Sequence, residues 1–121
     1  MVKAVRGAVG LDENTPEAIE EGVRACMSEL VMRNKIRESD IVSILFSQTR
    51  DVTAKNPAAA LRTLGYRDVP LFCTQEPEYE GSLPLTVRIL LTYETEIGEK
   101  PSPVYQGRAK ALRPDLYRER A

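Results

Sequence analysis

At 121 residues, with 42% hydrophobic and 29% charged side chains, the chain has the size and composition of one globular domain, 1–121, with a modest core. Its net charge of −1 argues against nucleic acid or an anionic membrane as partner, although basic residues gather near the C-terminus (Arg108, Lys110, Arg113, Arg118, Arg120). Histidine is absent, which removes Ser-His-Asp and Cys-His nucleophilic sites and argues against catalytic zinc.

The two cysteines, Cys26 and Cys73, match no metal or redox spacing, so neither metal nor cofactor is expected. The opening MVKAVRGAVG lacks the apolar segment of a secretion signal, and no apolar run approaches the roughly 20 residues that span a bilayer. A cytoplasmic location is the expectation.

In chain order, Lys3 to Val9 reads as a strand with Ala4, Arg6 and Ala8 on one face and Lys3, Val5 and Val9 on the other. The small neighbours leave room beside Arg6. Thr15-Pro16-Glu17 then starts a helix with a hydroxyl N-cap, proline at the first position and an early acid. Ile19, Val23, Cys26, Met27, Leu30 and Val31 form its apolar stripe, and it should end near Asn34. Cys26, on that stripe, reads as core.

Ile41 to Thr49 (IVSILFSQT) has the β-branched and aromatic content of a buried strand. Asn56-Pro57 caps and opens a short helix that carries Arg62 and stops at Gly65. Val69 to Gln75 and Val87 to Glu94 read as strands joined through Gly81-Ser82 and Pro84. Val104 to Leu112 alternates, with Tyr105, Gly107, Ala109 and Ala111 on one face, and is expected to form the last strand. Arg113-Pro114-Asp115-Leu116 is a turn, followed by a charged tail at about 117–121. The order β, α, β, α, β, β, β favours an α+β fold, a mixed β-sheet with helices on one face.

The polar residues on the third and fourth strands carry the chemistry. Arg88 sits among Val87, Ile89, Leu90 and Leu91, where a guanidinium loses hydration that an anion or a set of acceptors must replace. Glu76 could be that anion, making an internal ion pair in an interaction module. A bound ligand could serve instead. With Arg6, Arg62, Tyr105 and Cys73, the set looks built to grip a small anion with several carboxylates, because arginine meets carboxylate through a planar, two-pronged hydrogen bond.

Taken together, Arg6-Gly7-Ala8, Pro57-Ala58 with Arg62, Val69-Pro70, Cys73, Gln75-Glu76, Gly81-Ser82-Leu83-Pro84 leading to Arg88, Val104-Tyr105 and Leu112-Arg113-Pro114-Asp115-Leu116 resemble the trimeric α/β class of chorismate mutase. The resemblance runs almost end to end. It implies an isomerase that converts chorismate to prephenate on the route to phenylalanine and tyrosine. The reaction is a one-step pericyclic (Claisen) rearrangement, breaking an ether C–O bond while forming a C–C bond.

In this resemblance Arg88 faces the ether oxygen and Glu76, with Cys73, meets the ring hydroxyl. Arg6 and Tyr105 bind a substrate carboxylate. Phe72, Thr74 and Gln75 supply wall and backbone, and Arg62 and Arg113 lie near the mouth. The resemblance further implies a homotrimer forming a pseudo α/β barrel, with active sites between subunits. Asn56 stands where phenylalanine is common, Ala59 where a polar or charged residue is common, and Ser102-Pro103 where Arg-His is common. A non-catalytic trimeric carboxylate-binding or regulatory protein on the same scaffold is the alternative reading.

Overall fold

The computed structural model describes residues 1–116; the charged tail, with Arg118 and Arg120, lies outside the described residues. The elements are β1 (Val2–Gly10), α1 (Pro16–Arg33), β2 (Ile41–Gln48), α2 (Pro57–Thr63), β3 (Leu71–Gln75), β4 (Thr86–Glu94) and β5 (Val104–Gln106). Short 3-10 turns occupy Glu38–Asp40, Gly107–Leu112 and Pro114–Leu116. The strands form one mixed sheet in the order β3-β2-β4-β1-β5. The central strand β4 runs antiparallel to β1 and β2, while β1–β5 and β2–β3 are parallel pairs.

Side chains alternate along each strand, so the sheet has two unlike faces. One face carries Val5, Val9, Ile44, Phe46, Val87, Ile89 and Leu91, all buried against Ile19, Val23, Cys26, Met27 and Leu30 of α1 and Leu61 of α2. Each fully buried Leu, Ile or Phe contributes about 1.5–3 kcal/mol relative to exposure, so this layer holds the fold together. Gly7 lets α1 sit directly on β1: a Cβ there would lie 2.7 Å from Leu30 Cδ1 and 3.0 Å from Cys26 Sγ. Both helices start as their sequences specify. Thr15 Oγ1 accepts from the Ala18 amide, and Asn56 Oδ1 accepts from the amides of Ala58 and Ala59.

One expectation is corrected. The last strand is three residues long, not the nine from Val104 to Leu112, because Gly107 turns the chain with φ +59° into a 3-10 turn. Ala109 is thereby buried beside Ala8 and Tyr105 instead of continuing the strand. Val87 to Leu91 is buried on one face only. Its odd-numbered residues face the helices, whereas Leu90 is 38% exposed on the opposite face, the face that also bears Arg88.

Candidate active site

Register places the key residues in a line. Thr74 of β3 pairs with Ser47 of β2, Ser47 with Arg88 of β4, Arg88 with Ala8 of β1, and Ala8 with Tyr105 of β5. All five lie on the face away from the helices. The adjacent row runs Phe72, Leu45, Leu90, Arg6. Arg88 is thus flanked by a serine and an alanine, whose short side chains leave a hollow in front of it.

That hollow is an open cavity of about 300 Å³, lined by Arg6, Ala8, Leu45, Ser47, Thr74, Glu76, Arg88, Leu90 and Tyr105 among others. Glu76 follows directly after β3 and points back over the sheet, its amide tied to the Gln48 carbonyl at 2.7 Å. Arg88 Nε meets Glu76 Oε1 at 3.3 Å, with side-chain exposures of 38% for Arg88 and 15% for Glu76. The internal ion pair is therefore present, and it faces a cavity. Glu76 engages the guanidinium through Nε, and among the described residues Arg88 has no other ion pair; Arg6 has none at all. The two cations and one carboxylate give the cavity a positive excess, which suits an anion.

The remaining sequence-derived residues divide away from this cavity. Cys73 and Gln75 alternate with Thr74 and project to the helix side of β3. With Asn56 they border a separate, polar cavity of about 500 Å³ that also includes Arg50 and Lys55; Thr74 touches both cavities. There the Cys73 thiol donates to Asn56 Oδ1 at 3.2 Å, so Asn56 caps α2 and holds the thiol together. Burial raises the Cys73 thiol above its usual range, with a backbone hydrogen bond from Ala58 acting the other way. Burial also pushes Cys26 up to about 12, consistent with its place in the core.

Arg62 enters neither cavity and donates to the Arg67 carbonyl at 3.3 Å. Phe72 is 65% exposed and stands outside the Arg88 cavity. Arg113 borders a shallow groove shared with Arg6 and Tyr105. It is held by Asp115 through a two-pronged contact at 3.0 and 2.9 Å, and Asp115 first, then Tyr105, favours its charged form. Sequence reasoning missed the cavity floor of Ala8, Leu45, Ser47 and Leu90. The alternation of Ile44 and Phe46 with Leu45 and Ser47 was the signal that could have found it.

Among the described residues no helix is long and apolar enough to cross a membrane.

Comparison with known proteins agrees over nearly the whole chain. The family described as chorismate mutase type I matches residues 2–116. The chorismate mutase AroH of Thermus thermophilus is 36% identical over 118 residues, covering 96% of this chain and 97% of that protein. Its counterpart in Bacillus subtilis (strain 168) is 32% identical over 118 residues, covering 96% of this chain and 93% of that protein. Among solved structures, a chorismate mutase from Clostridium thermocellum superposes with a TM-score of 0.87 at 33% identity, covering 91% of this chain and 99% of that one. The fold is thus shared with a solved chorismate mutase of matching length, the family match spans residues 2–116, and this chain belongs to the type I chorismate mutase family.

Proposed function

We propose that this isomerase rearranges chorismate to prephenate by restraint and charge alone, in a site that two chains of a homotrimer complete. The reaction moves no proton and forms no covalent intermediate. A protein therefore accelerates it by holding the dianion folded, so that the two carbons that bond are in contact, and by stabilising charge growing on the ether oxygen. Arg88 supplies that stabilisation. Glu76 holds Arg88 through Nε and accepts from the ring hydroxyl, while Arg6 and Tyr105 take a carboxylate. A fixed guanidinium is effective here because it needs no reorganisation as the oxygen becomes negative.

The observation that carries this reading is the hollow itself. Arg88 and Arg6 share one cavity, floored by small and apolar groups, with Glu76 paired to Arg88. The non-catalytic alternative is not favoured, because relatives matching almost the whole chain bear the enzyme's name.

Two observations support the trimer. Phe72, Leu45 and Leu90 form an exposed apolar row, at 65%, 41% and 38% exposure, on the face opposite α1 and α2. In addition, the second group (Asn56, Cys73 and Gln75) borders a cavity of its own within one chain, with Cys73 and Gln75 on the helix side of β3. A neighbouring subunit's β3 edge, laid over this chain's hollow, would supply Phe72, Cys73, Thr74 and Gln75 as its wall. A cytoplasmic setting suits a metabolic isomerase of this kind.

The test is the loss of chorismate absorbance with purified protein. Arg88→Ala should lower kcat by about 10²–10³-fold with a smaller effect on KM, as removal of one preorganised donor does elsewhere. The wild-type rate should stay flat from about pH 6 to pH 8, since no side chain exchanges a proton in the chemical step. An unchanged kcat in Arg88→Ala would remove the role assigned to that residue.

A further inference from the structure

Residues 76–85 connect β3 to β4, with Glu76 at the start and Arg88 just beyond the end. The separation of these two side chains depends on how that connection is anchored. Two neighbouring residues in the loop after β2, Arg50 and Asp51, grip it near both ends.

At the first end, Arg50 Nη1 meets Glu78 Oε2 at 2.9 Å, but both side chains are well exposed, at 65% and 59%. Such a pair is screened by water and contributes little. The hold at the other end is of a different kind. The Leu85 amide donates to both carboxylate oxygens of Asp51, at 3.1 and 3.0 Å. Asp51 Oδ1 also accepts from the Thr49 hydroxyl. Thr49 is locked to the first residue of β4 in turn: its amide donates to the Thr86 carbonyl at 3.0 Å, and its hydroxyl accepts from the Thr86 amide at 3.0 Å.

Leu85 is the unusual residue in this network. Its φ is +47°, in the left-handed region that a leucine enters only when its surroundings hold it there. Its carbonyl accepts from Leu11 at 2.7 Å, and its side chain packs on the core, so it is restrained on every side. A strained residue three positions before Arg88, held by one carboxylate, marks where β4 begins.

We propose that Asp51 is a positioning residue for the rearrangement: by clamping Leu85 in the left-handed conformation it sets the start of β4 and aims Arg88 into the cavity beside Glu76. The proposal rests on the catalytic reading of Arg88. Its logic is geometric. A displacement of about 1 Å in a catalytic group can cost about 10²-fold in rate, whereas Leu85 touches the chain at Leu11, just past the end of β1 and away from Arg6, and Tyr105 lies on β5, so their carboxylate contacts should shift less than Arg88. The consequence falls on kcat and spares KM.

The experiment compares Asp51→Ala, Asp51→Asn and Arg88→Ala in the trimer as purified, by steady-state kinetics and by hydrogen exchange at the Leu85 amide. Asp51→Ala should lower kcat at least about ten-fold with KM changed less than about three-fold, and should speed exchange at Leu85. Asp51→Asn keeps one acceptor oxygen for Leu85 and should recover most of the lost kcat; if the alanine variant fails to fold, Asp51→Ser takes its place in the same measurements. Wild-type kcat in Asp51→Ala beside a crippled Arg88→Ala overturns the positioning role alone. Wild-type kcat in both overturns the catalytic reading and this proposal with it. Lost kcat in Asp51→Ala with unaltered Leu85 exchange, or with KM rising in step, assigns Asp51 another role and overturns the proposal.

Discussion

Glu76 meets Arg88 through Nε, and this contact sets the direction of the guanidinium while leaving its charge facing the cavity. Replacing Arg88 by lysine would keep the charge and lose the planar fork, so a lysine should restore little of the activity that alanine loses. The thiols are placed differently. Cys26 is fully buried against β1, and burial first, then Glu29, pushes it up to about 12 from 9.0. A raised folded pKa means that the folded state keeps its proton where the unfolded chain releases it. The stabilising contribution of this thiol is therefore complete below about pH 9 and fades as pH climbs toward 12. The loss should approach about 1.4 kcal/mol per pH unit from this one group. Tyr66 and Tyr93, both raised by burial, add to the same decline above about pH 10. Urea midpoints measured from pH 8 to pH 11 should fall, and Cys26→Ala should fall less steeply from its own lower starting point. An equal slope in the variant would show that Cys26 does not titrate as its burial demands.

At the scale of elements, the short last strand decides where Tyr105 stands. Gly107 ends β5 with φ +59°, and a Cβ there would lie 2.6 Å from the Gly10 carbonyl oxygen. Gly107→Ala thus meets two obstacles at once, a disfavoured backbone region and a clash with β1. It should cost about 1–3 kcal/mol, seen as a drop of several degrees in Tm, and should weaken substrate binding by shifting Tyr105 two residues away. Unchanged Tm and KM would mean that β1 and the turn can part without consequence. The same glycine explains why the end of the sheet was misread. Tyr105, Gly107, Ala109 and Ala111 alternate like a strand, and the close packing against Gly10 that bends the chain there is a tertiary fact. By contrast, α1 and α2 were legible because their caps are local: Thr15 with Pro16, and Asn56 with Pro57, satisfy the first amides whatever the sheet does. The site was half legible. Arg88 drew notice as a charge among apolar residues, but its neighbours Ser47 and Ala8 lie 41 and 80 positions away in sequence, and only register reveals the hollow. The parity of β3 was available and not used: Cys73 and Gln75 cannot share a face with Thr74, so the chosen residues had to divide between two cavities.

That division governs the whole molecule. If Arg88's hollow and the group of Cys73 and Asn56, with Arg62 at the mouth, form one site, they come from different chains, because within one chain Cys73 lies on the helix side of β3 and Arg62 borders neither cavity. Light scattering should then give about three times the 13.5 kDa chain mass. Mass alone would not show shared sites; complementation does. Arg88→Ala damages the first half and Arg62→Glu, which places an anion where a dianion must enter, damages the second. Each alone should be nearly inactive. Chains unfolded and refolded together in equal amounts assort at random, so a given site pairs an intact first half with an intact second half in about one case in four. The mixture should therefore regain about a quarter of wild-type activity. Sites contained within single chains would leave it as inactive as its components. An active Arg62→Glu parent would exclude Arg62 from the site while leaving the same test open to Cys73 and Asn56.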